Sequence, residues 1–353
     1  MIYKNEYIAN TYRIKDHEDR RGYLRLDMNE NPEGLPKKFV QEILEKITPE
    51  FLAAYPQKDN LIHIIAELEG VQTQNVTLIN GSDEGIRLVF ETFTHLGGHI
   101  LTVTPTFEMY QVYADMFGVY VDHVPFKDDF SIDARKIYEM LDENTNLVVL
   151  LNPNSPIGTV FDDDTFEMIA QQSEKMGAML LIDEAYYPFG AASKVSLCEK
   201  YSNVLALRTF SKLYSIAALR IGFMIGSADR IHLIENAQST YNVNSVGILF
   251  AEELLKRKDI IQELRQSIQE GREYLSQQLE QSGYSYFAQS GNYILIKIKN
   301  NPQKIAERLK EKRILIKTYK GELLGMWIRV TLGSRHIMET FWNAFCEVQQ
   351  EME

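Results

Sequence analysis

The chain has 353 residues, 45% of them hydrophobic and 24% charged, an ordinary globular composition that is long enough for one large domain and a smaller one. A formal net charge of −12 argues against nucleic acid or an anionic membrane as the main partner, because both favour a basic surface. The two cysteines lack the spacing of a zinc site, and no segment is apolar enough for a signal peptide or a membrane span, so we expect a cytoplasmic protein without a structural metal.

Weak periodicity over residues 1–30 predicts an N-terminal arm that either crosses to another subunit or packs on the smaller domain. Short apolar runs then alternate with amphipathic segments such as DDTFEMIAQQSEKMG. The runs are VTLI (76–79), ILTV (100–103), VYVDHV (119–124), LVVLL (147–151), AMLLI (178–182), VLAL (204–207) and IGFMIG (221–226). Continuous apolar runs are typical of strands covered on both faces, so residues 31–245 are predicted to form a large α/β domain around a mostly parallel sheet.

The pattern changes near residue 245. A long amphipathic helix is predicted from there to about residue 282, and the apolar segments YILIKI, RILIKTY and WIRVTLG follow it with helices around them. Residues 246–353 are therefore predicted to form a smaller α+β domain.

The residues that follow the apolar runs are candidates for a site, because ligands of open α/β sheets bind beyond the carboxyl ends of the strands. After VTLI, Gly81 and Ser82 precede a helix and offer backbone N–H groups and a hydroxyl to an anion. The alternative is that Ser82 or Asp83 is an ordinary helix cap. After ILTV, Phe107 and Tyr110 lie at the start of a helix, where an aromatic ring either stacks on a planar ligand or joins the core.

Two further runs are followed by polar residues. After LVVLL, the segment NPNSPIG forms an irregular loop that exposes Asn154 and Ser155, or it is only a turn. After AMLLI comes Asp183, whose carboxylate lies next to the buried interior and therefore needs a positive partner. A protonated pyridine nitrogen would serve, with Tyr186 bonding an oxygen on the same ring, and a salt bridge to Arg208 is the alternative.

The segment RTFSKLYSIAALR extends from the end of VLAL and brings together a hydroxyl and two cations. Lys212, held at a strand end in a partly dry pocket, is placed to form a Schiff base with an aldehyde. Ser211 and Arg220 are placed to hold a phosphate, the arginine through paired charge-assisted hydrogen bonds. A ring nitrogen, an aldehyde and a phosphate together describe pyridoxal 5'-phosphate (PLP).

Seven motifs extend over nearly the whole chain. They are NENP (29–32), AYPQ (54–57), NGSDE (80–84), NPNSPIG (152–158), DEAYYPF (183–189), RTFSK (208–212) with Arg220, and IRVTLGS (328–334). In this order they resemble the motifs of the class I and II aminotransferases of PLP fold type I, and within them the histidinol-phosphate aminotransferase branch. The resemblance implies an α/β fold with a large seven-stranded, mostly parallel sheet and a small α+β C-terminal domain.

The resemblance also implies a role for each matching residue. Lys212 would hold the cofactor covalently and move the substrate proton, Asp183 would keep the pyridine nitrogen protonated, and Tyr186 would bind the ring hydroxyl oxygen. The cofactor phosphate would contact Ser82, Ser211, Arg220, the backbone amides around Gly81 and Asp83, and Tyr55 of a neighbouring subunit. The cofactor ring would contact Phe107 and either Asn154 or Ser155. The substrate would contact Arg329 and Asn29. A site shared in this way implies a homodimer.

The predicted function is transfer of an amino group from L-glutamate to a keto compound, with imidazole acetol phosphate as the leading acceptor. Some residues depart from the usual family pattern: Ser155 stands where asparagine is common, Ile157 where threonine is frequent, and Phe107 where tyrosine is frequent. Aromatic keto acids, other phosphorylated ketones and decarboxylation of threonine phosphate are therefore alternatives. A non-catalytic ligand sensor is a further alternative, which the presence of Lys212 and Asp183 disfavours.

Overall fold

The computed structural model describes residues 5–12 and 19–352. Its α-helices are α1 (Glu6–Asn10), α2 (Lys37–Leu44), α3 (Pro49–Ala53), α4 (Asp59–Glu69), α5 (Gly81–Phe93), α6 (Met109–Phe117), α7 (Ala134–Met140), α8 (Asp163–Met176), α9 (Val195–Lys200), α10 (Ala228–Ala237), α11 (Ser245–Lys256), α12 (Lys258–Gln281), α13 (Pro302–Glu311) and α14 (Arg335–Glu351). Its strands are β1 (Leu24–Leu26), β2 (Val76–Ile79), β3 (His99–Thr104), β4 (Tyr120–Pro125), β5 (Thr145–Leu151), β6 (Met179–Asp183), β7 (Val204–Thr209), β8 (Gly222–Gly226), β9 (Tyr286–Phe287), β10 (Tyr293–Lys297), β11 (Ile314–Thr318) and β12 (Trp327–Thr331).

Seven strands form the large sheet, in the order β2-β8-β7-β6-β5-β3-β4. Strands β3 to β7 pair in parallel, whereas β8 is antiparallel to both of its neighbours, β2 and β7. Each of the seven apolar runs overlaps one of these strands. The structure therefore confirms the predicted α/β class with a mostly parallel seven-stranded sheet.

Both faces of the large sheet are buried, which explains the continuous apolar runs. In β5, Val148 and Leu150 enter one hydrophobic core, whereas Leu147, Val149 and Leu151 enter another on the opposite face. Helices α2, α4, α8 and α11 complete the first core, and α5, α6 and α10 complete the second. Side chains alternate between the faces of a strand, so a sheet covered on both sides needs apolar residues at every position.

The small sheet has the order β1-β11-β12-β10-β9, with β1 parallel to β11 and the other pairs antiparallel. Helices α12, α13 and α14 cover it and form a third core. This confirms the predicted second α+β unit. Strand β1 comes from the predicted N-terminal arm, whereas α1 packs on α6 beside the large sheet. The arm of residues 1–30 and the domain limits 31–245 and 246–353 stay predictions, and residues 1–4, 13–18 and 353 lie outside the described residues.

The prediction of one helix from about residue 245 to 282 is wrong, because the chain forms two helices there. Arg257 separates α11 from α12 and has φ −104° and ψ 71°, outside the helical region. Its guanidinium pairs with Asp259 at 2.7 Å and with Glu42 of α2 at 3.6 Å. Four charged residues, KRKD at 256–259, interrupt the apolar pattern here, but charged residues are equally common on the exposed face of a continuous helix, so the pattern alone does not reveal the break.

Helix α12 belongs to two cores. Ile260 and Leu264 near its start pack in the first core of the large sheet, and Ile268, Leu275 and Leu279 pack in the core of the small sheet. Its length of 24 residues corresponds to about 36 Å at 1.5 Å per residue. Within the described residues, no helix combines the length and apolar character needed to cross a lipid bilayer.

Candidate active site

The carboxyl ends of β5, β6 and β7 are adjacent in the large sheet, and a predicted site residue lies at each of them. Asn154 follows β5, Asp183 is the last residue of β6, and Ser211 follows β7. Gly81 begins α5 directly after β2 and lies against the guanidinium of Arg220. The parallel strands therefore bring these predicted residues to one edge of the sheet, as expected for an open α/β fold.

Asp183 is a buried carboxylate held by two hydrogen bonds. The Tyr110 hydroxyl donates to Oδ2 at 2.8 Å, and the backbone N–H of Ala185 donates to Oδ1 at 3.0 Å. Burial raises the pKa of Asp183, and these hydrogen bonds and the charge of Lys212 offset only part of that effect. The carboxylate thus has no cation in hydrogen-bond contact among the described residues, and a protonated ring nitrogen would supply one.

The alternative partner of Asp183, Arg208, is engaged elsewhere. Its Nε donates to Glu184 at 2.8 Å, and its Nη1 pairs with Glu69 and lies 3.2 Å from the Tyr187 hydroxyl. The side chain is 3% exposed and is therefore already paired in the interior. A salt bridge from Asp183 to Arg208 is the wrong interpretation, because sequence adjacency does not reveal that Glu184 points to the opposite side of β6.

Lys212 and Tyr186 lie next to each other in front of Asp183. The Lys212 Nζ is 5.5 Å from the centre of the Tyr186 ring and donates to the carbonyl of Met28 at 2.9 Å. Burial raises the pKa of the Tyr186 hydroxyl, but the positive charges of Lys212 and Arg329 and a hydrogen bond from Asn29 outweigh this, so the pKa is lowered. The hydroxyl is consequently suited to stabilise negative charge on a neighbouring oxygen.

Asn29 connects this pair to the small sheet. Its Nδ2 donates to the Tyr186 hydroxyl at 2.9 Å, and its backbone N–H donates to Thr331 Oγ1 at 3.0 Å. Its carbonyl accepts from Asn292 Nδ2 at 3.0 Å. The residue has φ +58°, a left-handed conformation that costs about 1 to 2 kcal/mol in a residue other than glycine. These hydrogen bonds hold it there.

Gly81, Ser211 and Arg220 form a cradle suited to a phosphate. Gly81 has φ +75°, and a Cβ on it would lie 2.8 Å from Arg220 Cζ, so only glycine fits between the helix start and the guanidinium. Ser211 Oγ accepts from Thr209 Oγ1 at 2.9 Å and lies 3.5 Å from Arg220 Nη1. Arg220 has no carboxylate partner within the described ranges of the chain.

Ser82 and Asp83 are not helix caps. Helix α5 begins at Gly81, and both residues lie in its first turn, where backbone N–H groups are free to bind an anion. The Asp83 Oδ1 atom is buried without a hydrogen-bond partner among the described residues. The alternative that either side chain caps the helix is therefore wrong.

Asn154, Ser155 and Phe107 border the same region. Both polar atoms of the Asn154 side chain are buried without a partner in the described part of the chain, and Ser155 is 4% exposed. Phe107 is 37% exposed and meets the Tyr110 ring edge-on at 6.4 Å between centres. Phe107 is thus not a core residue, and the unpaired Asn154 amide has capacity for a ligand oxygen.

Arg329 is a buried cation on β12. Its Nη2 donates to the carbonyl of Asp27 at 2.8 Å, and its Cζ lies 5.2 Å from the ring centre of Tyr293 and 5.9 Å from that of Tyr319. Burial lowers the pKa of the guanidinium, but the surrounding tyrosines and Asp27 raise it further, so the group stays charged. Its Nε is buried without a partner, and the described residues provide no carboxylate to it.

Tyr55 stands apart from these residues. Its side chain is 73% exposed and stacks on Tyr241, with 4.2 Å between ring centres. Its hydroxyl has no hydrogen bond to the described residues of its own chain. An exposed tyrosine with an unpaired hydroxyl is compatible with the predicted contact to a neighbouring subunit, which the single chain does not test.

Sequence reasoning missed several groups that hold the site. The sequence puts Tyr110 near a helix start but does not pair it with Asp183, which lies 73 positions away. The carbonyls of Asp27 and Met28 contact Arg329 and Lys212, and backbone groups carry no sequence signal. The motif NENP follows these two residues directly and identified Asn29, but it gave no sign of the carbonyls before it.

Comparisons with known proteins identify the family. The profile of the family described as aminotransferase class I and II matches residues 21–345. This chain is a class I and II aminotransferase. It is 33% identical over 315 residues to histidinol-phosphate aminotransferase 1 of Carboxydothermus hydrogenoformans, with 88% of each chain covered. It is 32% identical over 328 residues to histidinol-phosphate aminotransferase of Brachyspira hyodysenteriae, with 91% of each covered.

The solved structures agree on the fold of this aminotransferase. The structure of histidinol-phosphate aminotransferase from Sinorhizobium meliloti in complex with pyridoxal 5'-phosphate has a TM-score of 0.86 and 21% identity, and covers 93% of this chain and 91% of that one. The histidinol-phosphate aminotransferase from Clostridium acetobutylicum has a TM-score of 0.84 and 24% identity, with 93% and 99% covered. The predictions of fold type I and of a PLP-dependent aminotransferase are confirmed.

The residues at the site fit PLP. The space beside Gly81 and the uncompensated charge of Arg220 suit a phosphate group. The buried carboxylate of Asp183 suits a protonated ring nitrogen, and the unpaired amide of Asn154 suits the ring oxygen. These unpaired groups would be unfavourable in the interior without a ligand, which is the physical reason to expect the cofactor there.

Proposed function

We propose that this aminotransferase passes an amino group between L-glutamate and imidazole acetol phosphate, the reaction of a histidinol-phosphate aminotransferase. The observation that carries the proposal is Arg329, a buried guanidinium without a carboxylate partner in the described chain, beside Tyr186. Such a cation suits the carboxylate of glutamate in one half-reaction and the phosphate of the other substrate in the second. The names of the relatives given above support this choice of substrates.

PLP supplies an aldehyde that accepts the amino group and a ring that draws electrons from the substrate. Lys212 would anchor it covalently and, once released, carry the proton to and from the substrate α-carbon. Lys212 is suited to this because its Nζ is already near Tyr186 and bonds a backbone carbonyl rather than a carboxylate. Asp183 would hold a proton on the ring nitrogen, and Tyr186 with Asn154 or Ser155 would bind the ring oxygen.

The cofactor phosphate would be held by residues from separate elements. Ser82 and the amides around Gly81 and Asp83 belong to the first turn of α5, where the helix dipole favours an anion. Ser211 and Arg220 would contact it from the loop after β7. Phe107 would stack on the ring, and Asn29 would line the substrate side. We also assign the reaction to the cytoplasm, which the free cysteines support.

We further propose a homodimer in which Tyr55 reaches the partner's cofactor phosphate. Replacing Tyr55 by phenylalanine is expected to weaken PLP binding about tenfold, because one hydrogen bond to a charged group is lost. Tyr120, also exposed but on the edge strand β4, provides the control Tyr120→Phe, which should bind PLP normally. Equilibrium dialysis measures PLP binding, and sedimentation velocity measures whether the protein is a dimer. A monomeric protein with full activity would contradict this proposal.

Arg329→Gln is expected to raise the KM for L-glutamate about 100-fold, because a buried charge pair with the substrate carboxylate is lost. The matched control is Arg335→Gln, because this exposed arginine pairs with Glu339 on the same helix and lies over the Tyr274 ring, away from the site residues. Steady-state kinetics with both substrates measure the effect. An unchanged KM for glutamate would remove the role assigned to Arg329.

A substrate panel tests the reaction itself. We expect kcat/KM for histidinol phosphate to exceed that for L-phenylalanine by at least about 100-fold, because the site presents an unpaired cation to the phosphate. Threonine phosphate should give no carbon dioxide. If the protein transaminates glutamate but prefers L-phenylalanine to histidinol phosphate, it is an aminotransferase with a different substrate from the one proposed. Release of carbon dioxide from threonine phosphate would favour the decarboxylase.

A further inference from the structure

Three consecutive residues contact three side chains of the site. We call residues 27–29 the strap. The contacts are Arg329 Nη2 to the Asp27 carbonyl at 2.8 Å, Lys212 Nζ to the Met28 carbonyl at 2.9 Å, and Asn29 Nδ2 to the Tyr186 hydroxyl at 2.9 Å. The position of this short segment therefore sets the orientation of the lysine, the tyrosine and the substrate-binding arginine together.

The strap is held on its inner side by the small sheet. The backbone N–H and side chain of Asn29 bond Thr331 Oγ1, and its carbonyl accepts from Asn292. These contacts fix Asn29 but make no contact with Asp27, at the other end of the strap. Asp27 directly follows Leu26, which pairs with Ile316 at the end of β1 and is fully buried, so the backbone is also held at this end, and the Asp27 carboxylate offers a further attachment.

That attachment is a cluster of charged side chains outside the site, which we call the clasp. Arg20 lies before β1 and folds back to the residues that follow the strand. Its Nη2 lies 2.5 Å from Asp27 Oδ1, and its Nη1 lies 3.1 Å from Glu30 Oε1. Arg25 Nε completes the clasp at 3.1 Å from Glu30 Oε2.

The clasp is shielded enough to have an energetic effect. The side chains of Arg20, Asp27 and Glu30 are 16%, 14% and 27% exposed, so their attraction is screened less than that of a surface pair. Arg20 bridges both ends of the strap, because Asp27 is the first residue of the strap and Glu30 directly follows the last one. The planar guanidinium spans two carboxylates at once, which a lysine ammonium does not reproduce.

We propose that Arg20 is a positioning residue that fixes the strap and thereby aligns Arg329 for the substrate carboxylate. The inference deepens the proposed function and rests on the role assigned there to Arg329. Arg20 contacts neither the cofactor cradle nor Arg329, and it acts through Asp27. Loss of Arg20 leaves Leu26 anchored in β1 and Asn29 anchored at Thr331 but releases the Asp27 carboxylate between them, so we expect the effect to fall on the alignment of the Asp27 carbonyl with Arg329 and thus on substrate binding.

The test compares Arg20→Met, which keeps an unbranched apolar stem but lacks the guanidinium, with Arg20→Lys, which keeps the charge. Arg21→Met is the matched control, because Arg21 is adjacent, is 87% exposed and, among the described residues, pairs only with Asp19. Hydrogen exchange on the cofactor-free proteins should show the amides of Asp27 and Met28 exchanging about tenfold faster in Arg20→Met and unchanged in Arg21→Met. Exchange in β6 serves as the internal reference.

Kinetics on the PLP-loaded proteins supply the second measurement. We expect the KM for L-glutamate to rise about tenfold in Arg20→Met with kcat within about twofold, and an intermediate KM in Arg20→Lys. Unchanged exchange and unchanged KM in Arg20→Met would overturn the proposal, and so would equal losses in Arg21→Met. If Arg20→Met does not fold, Arg20→Lys decides: wild-type exchange and KM overturn the proposal.

The two proposals fail in different ways. If the wild-type protein does not transaminate glutamate, the proposed function fails. Hydrogen exchange on the cofactor-free protein still decides whether Arg20 holds the strap. If the wild-type protein transaminates glutamate and Arg20→Met has the wild-type KM, the proposed reaction stands and the positioning role of Arg20 is refuted.

Discussion

Replacing Lys212 by alanine is expected to lower the rate of transamination by at least about 10⁴-fold, because the group that carries the substrate proton is removed. The protein should still fold and bind PLP, since Lys212 is only half buried and its hydrogen bond goes to one backbone carbonyl. Single-turnover rates with L-glutamate measure the first effect. The visible absorbance of covalently held PLP, lost in the variant, measures the attachment.

The control for this variant is Lys200→Ala, because Lys200 is 58% exposed and pairs with Glu167 of α8 rather than with a site residue. Its rate and spectrum should equal those of the wild type. A Lys212→Ala protein with the wild-type rate would refute the catalytic role. A variant that loses the rate but keeps its full biological effect would instead favour the ligand sensor.

Asp183→Asn is expected to lower kcat about 10³-fold, because a neutral amide no longer stabilises a proton on the ring nitrogen. The thermal stability of the cofactor-free protein should not fall together with kcat. Burial raises the pKa of Asp183, so folding favours the protonated form and the ionised carboxylate destabilises the cofactor-free protein at neutral pH. The unfolding temperature of cofactor-free Asp183→Asn should therefore equal or exceed that of the wild type.

Differential scanning calorimetry and steady-state kinetics give the two readouts. Asp122→Asn on the edge strand β4 is the control, because the Asp122 side chain is 43% exposed and its carboxylate contacts the His99 ring rather than a site residue. A large fall in the unfolding temperature of Asp183→Asn would mean that its lost activity reflects misfolding. Normal kcat would show that the ring nitrogen does not depend on this carboxylate.

The sequence predicted the large sheet well because its strands are buried on both faces. Val148 to Leu151 alternate between two cores, and the resulting continuous run is a strong local signal. Asp183 and Lys212 were predicted for the same reason, since each follows such a run. The position of a residue directly after a buried strand is a local property, so it can be read from the sequence without knowledge of the three-dimensional packing.

The partners of those residues were not predictable in the same way. Asp183 bonds Tyr110 from α6, and Arg208 bonds Glu184 rather than Asp183, because the direction of each side chain depends on the three-dimensional packing. The break at Arg257 has a similar origin. Leu254 and Ile260, on either side of Arg257, pack in the same core, so the break reflects how the two helices meet that core, which the sequence pattern does not show.

Helix α12 has a consequence for how the molecule comes apart. Ile260 and Leu264 pack in the first core of the large sheet, and Leu275 and Leu279 pack in the core of the small sheet. All four residues lie on one continuous helix. Because both cores use this helix, its unfolding would remove packing atoms from both of them. We therefore expect the two sheets to lose structure in one cooperative transition, so that a core substitution in the small sheet also lowers the thermal tolerance of the cofactor cradle.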